Sequence, residues 1–345
     1  MSVDTEILCV PNFSEGRDLS KIQLISKSIK STHGVKLRHI DIGADANRTV
    51  ITFSGMPETV CNAAFGAIKM AAEIIDMQIH HGKHPRIGST DVCPLIPLQN
   101  ISMEDTVKYA RKLAGRVGNE LNIPVYCYEN AAFVPERKNL AFCRKGEYES
   151  LKQKLSEQKP DFGSDIFTPQ TAKTGATIIG ARDFLIAVNF NLNTKSKDIA
   201  SIIASGIREK GKNNTDAKLE GIKAIGWYIA DFDIAQVSVN ITDINATPLY
   251  HVFEEVVKRA KQLGVDVTGT EIIGLVPEKI LLDSGRYFLS QTTNNNNLAN
   301  ISNESLLKTA IEKLGLNDLS PFIPDEKTIK VSSVNYIDRI PCCTF

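Results

Sequence analysis

Three of the six histidines of this chain fall within five positions, in the stretch HHGKHPRIGSTDVCP (residues 80–94). The same stretch holds Lys83, Arg86, Asp91 and Cys93. Such a set could bind a metal or move protons. His80 and His84 are four apart, the spacing that puts two imidazoles on one helix face. The metalloprotease pattern needs Glu directly after the first His, and His81 stands there instead. Gly82 weakens a helix, and Pro85 disfavours a helical backbone at His84. No third ligand is evident elsewhere, so no metal is expected. Acid/base catalysis by one loop histidine fits better. An imidazole, with an ordinary pKa near ~6.5, takes and returns a proton at neutral pH. Lys83 and Arg86 would lower the pKa of a nearby histidine and attract anions. A solvated loop whose histidines have no role is the competing reading, and it stays open at this point.

Other residues carry weaker signals. Asp41, in HIDIGADANRT, stands at a strand end before a Gly-containing turn, where a carboxylate either faces a site or caps the turn. Arg208 and Lys210 close a helix, and would grip a carboxylate or complement the helix dipole. Cys93 lies near His84, but a small core residue between Val92 and Pro94 is the better reading. Two phosphate-loop lookalikes, GATIIGAR (175–182) and GIREKGKN (206–213), lack the strand, loop, helix and hydroxyl that a Walker loop requires. No GxSxG nucleophile elbow occurs.

These residues need elements to position them. In the first half, residues 6–13 read as a strand and 18–31 as an amphipathic helix with Ile22, Leu24, Ile25 and Ile29 on its apolar face. Residues 35–42 and 48–54 read as strands joined by GADAN, and Pro57 opens a helix to about residue 76. The histidines lie between that helix and an apolar strand. A helix over 103–121 and a strand over 124–128 follow. In the second half, 184–193 reads as a strand, 196–209 as a helix, 221–230 and 234–242 as strands, 247–263 as a helix and 271–276 as a strand. Each half thus runs strand, helix, two strands, helix, strand. That order is the ferredoxin-like split βαβ arrangement, an α/β (α+β) fold with mixed or antiparallel sheets. The Gly-, Pro- and Thr-rich stretch 158–180 reads as the connection between halves, too long to be idle. The polar stretch 292–303 reads as a surface loop.

Composition narrows the class. Lys+Arg and Asp+Glu are both 40 in 345 residues, so the net charge is zero and a basic nucleic-acid wrapper is excluded. A zero sum still permits a local positive funnel. No apolar run approaches a membrane span and no leader is evident. Seven scattered cysteines without a CxxC pair suit free thiols in a reducing cytoplasm.

VPNFSEGRD, ADANRTVITFSG, HHGKHPRIGSTDVCPLIPL, PDFG, GATIIGARDFLIAVNFNL and IGWY occur in this order. Together they resemble the glutamate formimidoyltransferase (formiminotransferase) family, which in vertebrates forms the N-terminal part of a fusion with a cyclodeaminase. The resemblance runs from about residue 6 to 324, so cyclodeaminase activity is not expected. It implies transfer of a formimino group between N-formimidoyl-L-glutamate and tetrahydrofolate, in histidine degradation, by a cytoplasmic homodimer. The alternatives are formyl transfer between 5-formyltetrahydrofolate and glutamate, or a non-catalytic folate binder. The implied fold has two subdomains, 1–182 and 183–326, with a substrate channel between them and a tail over 327–345. The resemblance makes His84 the catalytic residue and matches Asp41 as an orienting residue; since both implied substrates carry carboxylates, Arg86 and Arg208 are candidate orienting or substrate-binding residues, with Lys83 a further candidate for a positive lining. It assigns the folate to Gly163, Ser164, Asp165, Ile166, Phe167, Thr168, Pro169, Gln170, Thr174 and Gly175. Thr174 stands where vertebrate members carry Trp, and Lys83 where they carry Glu. Tetrahydrofolate is the expected co-substrate; metal, nucleic acid and membrane are not expected.

Overall fold

The computed structural model describes residues 5–208, 219–291 and 301–331. The chain divides into two compact units, Met1–Asp183 and Phe184–Phe345. No described helix is long and apolar enough to cross a membrane.

The first unit begins with an interrupted strand, β1 (Glu6–Cys9) and β2 (Asn12–Phe13), broken at Val10-Pro11. Helix α1 (Leu19–Lys30) starts at Asp18, whose carboxylate accepts from the backbone N–H groups of Ser20 at 2.9 Å and Lys21 at 3.3 Å. Its Ile22, Ile25 and Ile29 are buried, as the spacing predicts, whereas Leu24, expected on the same face, is exposed because it lies two positions from Ile22 and so points away from that stripe. Strands β3 (Lys36–Gly43) and β4 (Arg48–Gly55) form a hairpin, and α2 (Pro57–Ile74) has Pro at its first turn. Ala63, Ala64, Ala67 and Ala71 let α2 lie close to its neighbours. Then come β5 (Thr90–Gln99), α3 (Met103–Leu121), β6 (Val125–Glu129), three short helices α4 (Leu140–Arg144), α5 (Leu151–Glu157) and α6 (Pro169–Thr174), and β7 (Thr177–Ala181).

The sheet order is β3, β4, the broken β1–β2, β5, β7, β6. Its first four positions are the ferredoxin-like order, all antiparallel. Strands β7 and β6 extend it in parallel beyond β5. Ile7, Cys9, Ile51, Phe53, Cys93 and Leu95 lie in one large apolar cluster with α1, α2 and α3. A second cluster, with Val92, Tyr126, Tyr128 and Ile178, packs under Cys143, Leu151 and Leu155 of α4 and α5. At the β3–β4 end of that second face, Asn12, Val50 and Asp41 are register partners, as are His39 and Thr52. Alternation along the strands puts these polar residues on the side opposite the main core.

The second unit has β8 (Ile186–Leu192), α7 (Lys197–Ile207), β9 (Ile222–Ile229), β10 (Ile234–Ile241), α8 (Leu249–Gln262) and β11 (Val267–Ile273), with antiparallel order β11, β8, β10, β9. This is again the ferredoxin-like order. After β12 (Val276–Pro277) come α9 (Glu278–Ser290), α10 (Asn303–Leu314), α11 (Pro324–Lys327) and β13 (Thr328–Ile329), which pairs with β12.

Two expectations change. The stretch 158–180 is not a connection between units: it holds α6 and β7, and β7 is an inner strand between β5 and β6. Its five residues are buried on both faces, so no alternation betrays it beside Gly and Thr. Helices α9 and α10 were not legible as elements; they pack so closely that a Cβ on Gly285 would lie 2.0 Å from the Leu306 carbonyl oxygen. Residues 292–300 of the polar loop and 332–345 of the tail lie outside the described residues.

A very tight backbone approach in the first unit joins the loop before β5 to the end of α6. Gly88 and Gly175 form an isolated bridge, and a Cβ on Gly88 would sit 2.1 Å from the Ala176 carbonyl oxygen. Replacing Gly88 with Ala should destabilise the first unit by about 3 kcal/mol. Urea unfolding followed by circular dichroism measures this; an unchanged midpoint would show that the approach is loose.

Candidate functional site

The histidine cluster lies in an irregular loop between α2 and β5, and the β3–β4 turn holds it from one side. Asn47 adopts the left-handed conformation (φ 48°), which asparagine tolerates better than most residues. Its side-chain amide donates to the His81 carbonyl at 2.8 Å and accepts from the Gly16 N–H at 2.9 Å. Its own carbonyl faces His80 Nε2 at 3.0 Å. Gly82 lies against the same turn, where a Cβ would be 2.3 Å from the Ala46 carbonyl oxygen. From the other side, the end of α6 grips the loop through Met77 N–H to Lys173 O (2.8 Å) and Ser89 N–H to Thr174 O (2.8 Å).

His84 is half-buried within a densely packed surround. Its Nε2 lies 2.7 Å from Arg48 Nη1, which also donates to Asn12 Oδ1 at 3.1 Å. A guanidinium has no acceptor and keeps its charge, so Nε2 must be the accepting nitrogen and the ring proton must sit on Nδ1. Burial, then the charges of Arg48 and Arg144, push the His84 pKa well below the ordinary histidine value. A hydrogen bond to the Pro85 carbonyl pulls the other way without reversing the direction. His84 is therefore a neutral base at neutral pH. Arg144 is held in place by the buried Asp91, which accepts from Arg144 Nε at 3.2 Å and also from its Nη2.

His80 has the opposite tautomer. Arg86 Nε donates to its Nδ1 at 3.4 Å, so Nε2 carries the proton toward Asn47. Burial, foremost, lowers its pKa. Arg86, expected to orient or bind substrate, is buried and committed elsewhere. Its Nη2 donates to Glu149 at 2.6 Å, its Nη1 to Glu149 at 2.8 Å and to Glu147 at 3.2 Å, and its Nη2 also to the His80 carbonyl at 3.2 Å. The arginine is a strut beneath the loop, because two carboxylates already occupy the fork that would meet a substrate. Beside it lies an open cleft of about 410 Å³, lined by His81, Gly82, Arg86, Gly146, Glu147 and Glu149. Its carboxylates suit an anionic ligand poorly.

Asp41 is 3.5 Å from His39 Nε2, a partner on its own strand. Lys83 pairs with Asp45 at 3.1 Å. Arg208 is exposed at the C-terminal cap of α7, in the second unit, and Lys210 lies outside the described residues. Within 163–175, Asp165, Ile166, Pro169 and Gln170 are exposed, whereas Thr171, Thr174 and Gly175 are buried. Thr174 offers no surface for a ring, since its hydroxyl turns back to the Gln170 carbonyl at 3.1 Å. Thr168 caps α6 by accepting from the Thr171 N–H at 3.1 Å. Cys93 is fully buried with its Sγ 3.6 Å from that of Cys9, as a core residue. Burial pushes the thiols of Cys61 and Cys127 up to about 12. Among the described residues, no three His, Cys, Asp or Glu side chains converge as metal ligands would.

Arg48, Asn12, Asn47 and Arg144 were not singled out from the sequence. Only Asn47 left a signal, as the last residue of a GADAN turn. Nothing in sequence spacing ties Arg48 to a histidine 36 positions away.

The chain matches two family models: "Formiminotransferase domain, N-terminal subdomain" over residues 6–182, and "Formiminotransferase domain" over residues 187–333. It is 44% identical to the formimidoyltransferase-cyclodeaminase of Gallus gallus over 325 residues, 93% of this chain and 59% of that protein. It therefore spans about three-fifths of the length of such relatives. It is 46% identical to a glutamate formimidoyltransferase of Thermoplasma acidophilum over 285 residues, 81% of this chain and 91% of that protein. A glutamate formimidoyltransferase of Streptococcus pyogenes is 42% identical over 283 residues, 81% of this chain and 92% of that protein.

The depressed His84 pKa has a consequence for stability. Below about pH 6.5 an unfolded histidine takes a proton that folded His84 refuses, so stability falls as pH falls through that value. Replacing His84 with Gln removes part of this slope, and His80, also depressed, keeps the rest. Urea unfolding at pH 7.5, 6.5 and 5.5 measures it; identical slopes in both proteins would contradict a suppressed His84.

Proposed function

Since this chain belongs to the formiminotransferase family, we propose that it transfers the formimino group from N-formimidoyl-L-glutamate to tetrahydrofolate, giving L-glutamate and 5-formiminotetrahydrofolate. The near-full-length similarity to the two glutamate formimidoyltransferases carries this reading. The reaction belongs to histidine degradation and one-carbon metabolism. Formyl transfer is not favoured, because those relatives are named for the formimidoyl group.

The chemistry needs one movable proton. N5 of tetrahydrofolate attacks the amidine carbon, and a new C–N bond forms while the C=N pair moves onto the imino nitrogen. In the tetrahedral intermediate the attacking nitrogen must lose a proton and the glutamate nitrogen must gain one. The C–N bond to glutamate then breaks, the C=N bond re-forms, and glutamate leaves as an amine. His84 serves as the carrier: its neutral imidazole takes the proton from one nitrogen and returns it to the other. Holding two substrates in line supplies the remaining acceleration.

Asp41 lies on the same strand as His39 and serves substrate orientation. The exposed part of the folate segment, Gly163 to Gln170, offers Asp165, Ile166, Phe167 and Gln170 to the folate, while Thr174 and Gly175 brace the histidine loop. Arg208 is a candidate for a folate carboxylate. Residues 1–182 act as the catalytic subdomain and 183–326 as its companion. Cytoplasmic location and a homodimer accompany this reading as part of the proposal.

Purified protein incubated with N-formimidoyl-L-glutamate and tetrahydrofolate should release free glutamate, and the His84→Asn variant should turn over at least about a hundredfold more slowly while still binding folate. Release of glutamate at the normal rate by that variant would remove His84 from the reaction.

A further inference from the structure

The sheet of the second unit has two unlike faces. One carries Val188, Phe190, Val237 and Val239 and packs on α8, where the Phe190 and Phe253 rings lie 6.2 Å apart. The other is polar. Alternation and register place on it Asn189 and Asn191 of β8, Gln236 and Ser238 of β10, Trp227 of β9 and Glu271 of β11. Trp227 comes from IGWY, a stretch behind the family resemblance that the histidine site does not use. Asn189, Asn191 and Gln236 are at most 3% exposed. Amides so buried cost stability unless their polar atoms are met.

Most are met by one another. Trp227 Nε1 donates to Gln236 Oε1 at 3.0 Å. Gln236 Nε2 donates to Asn191 Oδ1 at 2.8 Å and to Glu271 Oε2 at 3.2 Å. Asn189 Nδ2 donates to the same Glu271 oxygen at 2.9 Å, and Asn191 Nδ2 to Asp318 at 2.9 Å. Two acceptors remain, Glu271 Oε1 and Asn189 Oδ1, neighbours on paired strands. Among the described residues no group donates to either, although Asn189 is buried. The side-chain partners of Glu271 are neutral amides, so no described cation meets its charge. A fixed carboxylate beside an amide oxygen, both open, suits a planar ligand edge with adjacent N–H donors.

We propose that Glu271 and Asn189 receive the N3–H and 2-amino edge of the pterin ring of tetrahydrofolate. The inference rests on the formimino-transfer reading above and deepens it by naming the groups that recognise the co-substrate. The pterin edge carries its N–H donors in one plane, as a guanidinium does. Glu271 Oε1 takes one of them in a charge-assisted hydrogen bond, and Asn189 Oδ1 takes a second. The amidine of N-formimidoyl-L-glutamate also carries adjacent N–H donors, but it is the reacting group. Its nitrogens must exchange protons during transfer, and an acceptor that held those protons would oppose the reaction. The pterin edge keeps its protons throughout and lies away from N5, so it can be held from binding to release. The chain of hydrogen bonds from Trp227 through Gln236 fixes the carboxylate before the ligand arrives, which lowers the ordering cost of binding.

The test measures binding by isothermal titration calorimetry under nitrogen. It compares tetrahydrofolate with 2-desamino-2-methyltetrahydrofolate, which keeps the reactive N5 and lacks the 2-amino group. Intact protein should bind the first roughly tenfold or more tightly. Glu271→Leu should bring the two affinities together, and Glu271→Gln should fall between, because it keeps an acceptor without the charge. Undiminished discrimination in Glu271→Leu, with thermal melting unchanged, overturns the proposal. N-formimidoyl-L-glutamate serves as control, and its affinity should be the same in intact protein and in Glu271→Leu. A loss confined to that compound, with discrimination between the folates intact, gives Glu271 to the amidine and overturns the proposal. If intact protein binds no tetrahydrofolate, the folate reading fails and the proposal falls with it. If intact protein binds both folates equally, the proposal alone falls. If Glu271→Leu does not fold, Glu271→Gln carries the comparison, and full discrimination there counts against the proposal.

Discussion

A guanidinium that cannot surrender its proton faces the single lone pair of His84, 2.7 Å away. From that contact follows the tautomer of the ring, and burial, joined by the charges of Arg48 and Arg144, keeps it neutral at physiological pH. Much of the surrounding first unit serves to make the contact possible. The β3–β4 turn carries Arg48 and at the same time clamps the histidine loop through Asn47, so cation and imidazole are positioned by one piece of backbone.

The loop itself has no regular structure and would be mobile in isolation. It is fixed by features of different kinds. Gly82, Gly88 and Gly175 allow backbone contacts too close for a Cβ. Arg86 spans from the His80 carbonyl to Glu147 and Glu149, and Glu147 takes a left-handed backbone (φ 53°) in doing so. That strain is unusual for a residue other than Gly, Asn or Asp, and the charge-assisted hydrogen bonds to the buried Arg86 offset it. The two arginines near the histidines thus divide their work. Arg86 supports the loop, and Arg48 fixes the tautomer of His84.

The two arginines also explain why neighbouring histidines differ. His80 receives a proton donor at Nδ1 and His84 receives one at Nε2, so the first presents its N–H to a backbone carbonyl and the second keeps its proton on the far nitrogen. Identical side chains four positions apart are held in opposite tautomers. Composition and spacing treat them alike, because a tautomer is set by what each nitrogen meets and not by the residue's neighbours in the chain.

The sequence by itself determined the ferredoxin-like order of both units, the caps and apolar faces of their principal helices, and the loop that carries the histidines. These features are encoded locally: Asp18 caps a helix whose isoleucines recur at helical spacing, and GADAN joins two strands of matched length. It also determined the family, through long stretches such as HHGKHPRIGSTDVCPLIPL. Only the tertiary structure decided the rest. Strand β7 was hidden because burial on both faces leaves no alternation to read. Arg86 looked like a substrate grip until Glu147 and Glu149 were seen to occupy it. Thr174 was assigned to the folate segment, but its hydroxyl turns back to the Gln170 carbonyl. Arg48 carried no signal, because its importance lies in a contact across 36 residues of chain. Local pattern records which face a residue takes; only the folded chain records which group it meets there, and the chemistry of a charged or titratable side chain is set by that meeting.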